Sequence, residues 1–144
     1  GLVKAAVQLA GSQSVVASID VKYVNKQYRC FVGDGRECVD IAPVELAKKA
    51  EMLGVGEIFL NSIDKDGEMK GYDISLVKSV VEAVKIPVTA CGGAGRIDDL
   101  RKVIHDGMAH AAAGGSMFVY YGRLKAVLIT APSENELVEA RIYK

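Results

Sequence analysis

The residues of this chain that could do chemistry sit just behind short apolar runs. Asp20 follows VVASI; Asn61, Ser62, Asp64 and Asp66 follow EIFL; Cys91, Gly92 and Gly93 follow PVTA; Gly114, Gly115 and Ser116 follow HAAA. A carboxylate at the end of an apolar run is costly to bury unpaired, so Asp20 either serves a site or orients the nearby Lys22. Asp66 lies on DKDGEMKGYD, a loop rich in charge and glycine, where a carboxyl group can reach a ligand as general acid or base. The pair Asp66-Gly67 equally suits a turn in which the aspartate caps the backbone. The two glycine runs offer bare backbone N–H groups beside helix starts, which is the chemistry of a phosphate site built from Gly93, Gly95, Gly115 and Ser116. Glycines also occur where a strand turns sharply into a helix, so that reading stands beside it.

The thiols and imidazoles carry less. Cys91 reads as a small packed residue lining the site with Gly92, because no histidine stands in an obvious activating position. His105 and His110 lie on or just after a helix without companion cysteines or a carboxylate cluster, so no metal site is expected, and no cofactor. Three cysteines, Cys30, Cys38 and Cys91, without a C-x-x-C spacing suit reduced thiols rather than a disulfide framework.

Positioning these residues requires strands alternating with helices, and the chain has that alternation. The first strand is expected over Ser14 to Val21, followed by a polar excursion whose Asp34-Gly35 pair suggests a small hairpin. Pro43 opens a helix with Val44, Leu46, Ala47, Ala50 and Leu53 at helical spacing, and Gly54 falls where a C-terminal cap belongs. A second strand over Glu57 to Ile63 leads through the charged loop to a helix marked by Ile74, Val77, Val81 and Val84, with Asp73 as its N-cap. Pro87 begins the third strand, RIDDLRKVIHDG is the next helix, and His110 to Ala113 the fourth strand.

Each unit has about 30 residues, the size of one βα step. A (β/α)8 barrel needs eight strands and typically about 250 residues, so four units predict half of one, with active-site residues at the C-terminal strand ends. The expectation is a single half-barrel domain over 1–144: the end of a preceding helix at 1–10, four βα units at 14–122 and a C-terminal segment at 123–144. The chain starts in mid-pattern and on Gly1 rather than methionine, as a piece of a longer chain would. Open edges of a four-stranded sheet invite self-association.

Lysines plus arginines equal aspartates plus glutamates at 18 each, without a long block of one sign, which gives no electrostatic case for nucleic acid or a membrane surface. The apolar stretches fall short of a bilayer span and the N-terminus lacks the pattern of a signal peptide, so a cytoplasmic protein is expected.

The segments ASID, GVGEIFLNSIDKDGEMKGYD, VTACGGAG and AAAGGSMF occur in unbroken order from about Gly11 to Gly122. Together they resemble the second half of the ammonia-using cyclase subunit of imidazole glycerol phosphate synthase, most specifically through SIDKDG with GYD following. The resemblance implies the C-terminal half of a (β/α)8 barrel, a glutaminase partner that supplies ammonia, and a bisphosphorylated ribulosyl substrate. It implies that Asp66 is the general acid of an aspartate pair whose other member belongs to the first half. Asp20 matches the family's strand-end aspartate, Gly67, Gly93 and Ser116 the holders of one phosphate, and Glu57 the charged gate where ammonia enters. On residue type alone Glu57 is equally a solvent-exposed turn residue before a strand.

Three features depart from the histidine-pathway pattern: Asn61 in place of threonine, Cys91 in place of serine, and the tail FVYYGRLKAVLITAP. They are closer to barrel paralogues that feed ammonia into amidation of surface-polysaccharide sugars. A third reading is a phosphate-binding half-barrel without catalysis, since one family carboxylate is missing.

Overall fold

The computed structural model describes every residue except Arg123, Lys125 and Lys144, together with the side chain of Tyr121. The expected C-terminal segment, 123–144, contains those three positions, which lie outside the described residues.

Helix α1 (Leu2–Ala10) is followed by strand β1 (Val16–Val24), then β2 (Gln27–Val32) and β3 (Glu37–Val39). The rest alternates: α2 (Pro43–Met52), β4 (Glu57–Ser62), α3 (Ile74–Val81), β5 (Val88–Cys91), α4 (Ile97–His105) and β6 (Ala111–Ala112). A short helix α5 (Ser116–Val119), a small antiparallel pair β7 (Tyr120–Tyr121) and β8 (Ala126–Val127), and helix α6 (Glu134–Glu139) complete the described chain.

Six strands form one sheet in the order β3-β2-β1-β4-β5-β6. Within it β1, β4, β5 and β6 are parallel and adjacent in chain order, with Asp20 opposite Asn61 and Asn61 opposite Cys91. Three polar residues expected behind separate strands thus stand side by side. The fold is mixed α/β with a parallel sheet, as the alternation predicts.

Strand parity sorts the side chains. Ile19, Val21, Ile58, Leu60, Val88 and Ala90 are buried and form one core with Ala47 of α2, Leu76, Val77 and Val80 of α3, and Leu100 and Val103 of α4. Each valine, leucine or isoleucine among them contributes about 1.5–3 kcal/mol on burial, which secures the helices to one face of the sheet. The residues of opposite parity are less covered: Val16 is 52% exposed, Glu57, Phe59, Asn61, Thr89 and Cys91 are half-buried, and Ala111 is exposed.

The structure moves several boundaries. The first strand runs on to Val24, because it continues into an antiparallel pairing with β2 through a tight turn at Asn25 and Lys26, both with positive φ. The hairpin expected at Asp34-Gly35 is there as the turn between β2 and β3, so the excursion is a three-stranded meander. The fourth parallel strand shrinks to Ala111–Ala112: alanines bury little, and this edge has a partner on one side only. Asp73 caps α3 as expected, its Oδ1 accepting the Leu76 N–H at 3.0 Å. Gly54, just past α2, has φ +89° and suits the left-handed step that ends a helix.

Candidate functional site

Four loops leave the C-terminal ends of the parallel strands, and two of them meet the β4 loop in one small concavity. It is lined by Asp66 and Gly67 from the loop after β4, Cys91 to Ala94 after β5, and Ala113 to Ser116 after β6. Of the residues singled out in the sequence, Asp66, Gly67, Cys91, Gly92, Gly93, Gly115 and Ser116 come together here. Asp20 and Asn61 lie beside it on neighbouring strands. Gly95 does not line it: its N–H donates to Asp99 Oδ2 at 3.0 Å and is engaged within the chain.

Close backbone packing explains the glycines. A Cβ on Gly93, at φ +113°, would lie 2.2 Å from the Gly71 carbonyl oxygen, and one on Gly92, at φ +88°, 2.5 Å from that of Ser62. The Gly71 N–H donates to the Gly93 carbonyl at 2.8 Å, tying the loop after β4 to the loop after β5. Two side chains missed in the sequence reinforce this. Buried Asp99 accepts the N–H groups of both Gly95 and Arg96, and Tyr72 donates its hydroxyl to the Ala113 carbonyl at 2.8 Å. Asp99 stands three residues after Arg96, the N-cap of α4, and a carboxylate at that spacing was the available signal. Nothing in the Gly-Tyr-Asp triplet foretold that the tyrosine hydroxyl would cross to β6.

Asp20 accepts a hydrogen bond from Asn61 Nδ2 at 3.0 Å, whereas the Lys22 ammonium donates to the Gly35 carbonyl at 2.7 Å and stacks over the Phe31 ring. Asp20 therefore does not orient Lys22. Among the described residues Asn61 Oδ1 is buried without a hydrogen-bond partner. Asp66 is exposed, and its carboxylate makes no hydrogen bond among the described residues, so it does not cap its own turn. Asp64 takes the structural part, accepting the Tyr23 N–H.

The Cys91 thiol reports on the charge around it. Burial pushes its pKa up, and the carboxylates of Asp66 and then Asp20 push it further, against a lowering hydrogen bond from the Gly92 N–H. It is the opposite of an activated nucleophile. An exposed carboxylate next to backbone amides and a hydroxyl can give or take a proton beside an anion held by the glycine loops.

At the other end of the sheet, Glu57 begins β4 and its Oε1 accepts the Thr89 hydroxyl at 2.6 Å. His110 Nδ1 accepts the Val88 N–H at 3.2 Å, and His105 Nε2 lies 2.6 Å from the Arg141 carbonyl, so each imidazole is used within the fold. A larger cavity, about 780 Å³, lies between α4, β6 and the C-terminal segment. It is walled mainly by apolar side chains such as Leu100, Ile104, Phe118 and Leu137. Among the described residues no carboxylate and no glycine lines it. No helix among the described residues is long and apolar enough to cross a membrane.

Comparison with known proteins agrees with the resemblance read from the motifs. Residues 1–125 match the model of a family described as histidine biosynthesis protein. A Pseudomonas aeruginosa protein provisionally named imidazole glycerol phosphate synthase subunit hisF2 is 47% identical over 128 residues, 88% of this chain and 51% of that protein. A provisionally named Vibrio vulnificus subunit, hisF3, is 42% identical over 132 residues, 90% of this chain and 51% of its own length. The imidazole glycerol phosphate synthase subunit HisF of Hyphomonas neptunium is 44% identical over 117 residues, 81% of this chain and 46% of that protein. The chain thus spans about half the length of the relatives it matches. The match covers α1, every strand of the six-stranded sheet and the whole concavity, and the chain belongs to the histidine biosynthesis protein family.

Proposed function

We propose that this chain is the C-terminal half of a (β/α)8 barrel and that, within the whole barrel, it serves an ammonia-dependent synthase of the imidazole glycerol phosphate synthase type. The convergence of Asp66 with the glycine loops after β5 and β6 carries the reading. Backbone amides around Gly93, Gly115 and Ser116 hold one phosphate of a phosphorylated ribulosyl substrate. Asp66 is the general acid, and Asp20, fixed by Asn61, keeps the second carboxylate at the strand ends. Ammonia arrives from a glutaminase docked at the opposite end, past Glu57. The half-covered sheet face supports the barrel, since parallel sheets are normally buried on both faces. The first half supplies the second cover and the other acid.

The test is Asp66→Asn in the full-length protein. Ammonia-dependent turnover should fall by roughly a hundredfold to ten-thousandfold, the usual contribution of a positioned acid or base, while the phosphorylated ligand still binds. Full activity in that variant would remove Asp66 from the mechanism.

A second acceptor, a sugar undergoing amidation, rests on the departures at Asn61, Cys91 and the tail, of which Asn61 holds Asp20 through its Nδ2. Turnover of a sugar acceptor but not of the ribulosyl substrate would decide for it.

A further inference from the structure

Glu57 and Thr89 belong to the parity of β4 and β5 that points away from the helices. Ile58, Leu60, Val88 and Ala90 of the other parity are fully buried against α2, α3 and α4, while Glu57 and Thr89 are half-buried on the open face. Register sets Thr89 opposite Phe59, one inward-pointing position further along the sheet than Glu57. The Thr89 hydroxyl nevertheless reaches back to Glu57 Oε1 at 2.6 Å, a short contact for a hydroxyl donating to a carboxylate. A hydroxyl has one proton to give and two lone pairs. With its proton committed to Glu57, the Thr89 oxygen can only accept further hydrogen bonds on that face.

We infer that Thr89 is a positioning residue of the ammonia entrance: it fixes the Glu57 carboxylate on the open face and adds an acceptor one step inside it for the N–H of incoming ammonia. This rests on the synthase reading above, in which Glu57 is the gate. The pair supplies two acceptors in sequence, a carboxylate oxygen and then a hydroxyl oxygen, in a wall where Val16, Phe59 and Ala111 are apolar and Ser18, beyond Phe59, is the other hydroxyl at that level. A neutral molecule with three N–H donors loses fewer hydrogen bonds entering such a step than entering an all-apolar one. Valine at position 89 would keep the shape and β-branching but offer no acceptor and leave the carboxylate without its donor.

The experiment compares nitrogen sources in the full-length synthase assembled with its glutaminase, using the bisphosphorylated ribulosyl substrate. Wild type, Thr89→Val and Thr89→Ser are each driven by glutamine and, separately, by ammonium salt. In Thr89→Val the ratio of glutamine-driven to ammonium-driven turnover should drop about tenfold, the equivalent of one lost hydrogen bond in the delivery step. Glutamate should then be released in excess over product, and Thr89→Ser should restore the ratio. Equal losses with both nitrogen sources would reduce Thr89 to a packing residue and overturn the inference. So would an unchanged ratio in the valine variant, or a serine variant as uncoupled as valine. A wild type that turns over with neither source overturns the synthase reading, and this inference falls with it.

Discussion

Glycines that look alike in the sequence differ in what a side chain would meet. Gly67 has φ +73° with open space where its Cβ would point, so Gly67→Ala carries only the left-handed strain, about 1 kcal/mol. Gly93 has φ +113° and a carbonyl oxygen 2.2 Å from the Cβ position, which forces the Gly71–Tyr72 backbone to move. Strain and overpacking together should cost Gly93→Ala on the order of 3 kcal/mol. Urea melts of the two variants, measured side by side, should show the second clearly less stable; equal midpoints would mean that the two loops are not packed as described. Asp66 can be treated independently of this packing, because its carboxylate makes no hydrogen bond among the described residues that its loss would break.

Between elements, one side-chain pair joins the meander to helix α3. The Tyr28 hydroxyl of β2 donates to both carboxylate oxygens of Asp73, at 2.9 and 3.1 Å, while the same carboxylate caps α3. Burial first, then the hydrogen bond and charge of Asp73, push the Tyr28 phenol from about 10 up to about 12. The protonated phenol is thus favoured in the folded state, and its contribution to stability is complete below pH 10. As pH rises from 10 to 12 the unfolded chain releases this proton first, so stability falls through that window. Chemical denaturation across pH 9 to 12 should therefore show a steeper alkaline loss in the wild type than in Tyr28→Phe. Matching slopes would remove Tyr28 as a contributor, leaving the alkaline loss to other groups, such as the buried Cys30 thiol at about 11. Asp73 was readable as an N-cap from its place before an apolar helix; its second partner, 45 positions away, was not.

For the molecule as a whole, the question is what covers the other face of the sheet. Helices bury the central strands on one face, whereas the opposite face keeps Val16 at 52% exposure and half-buried Phe59, and β6 presents a short alanine edge. Apolar surface and an unpaired edge of this kind favour association. On the half-barrel reading, light scattering of the chain purified alone should give a mass of at least two copies. Co-expression of the first half should replace that species with a one-to-one complex. A stable species with the mass of a single chain in both cases would refute the reading.

Much of this was determined locally. Alternation of apolar strands with helical spacing, the proline at the start of α2, the aspartate cap of α3 and the aspartate-glycine turn of the hairpin all act within a few residues, so they could be read along the chain. The motif SIDKDG with its glycine runs was likewise legible, and with it the family. Other features depend on atoms that only folding brings together. The Asn61 amide on Asp20 spans 41 positions, the Thr89 hydroxyl on Glu57 spans 32, and the Tyr72 hydroxyl on the Ala113 carbonyl spans 41. Lys22, two residues from Asp20, turned instead to a carbonyl 13 positions on, in the turn between β2 and β3, where its side chain lies beside Gly35. Residue type and spacing determined which groups were available; strand register and loop packing decided which of them met.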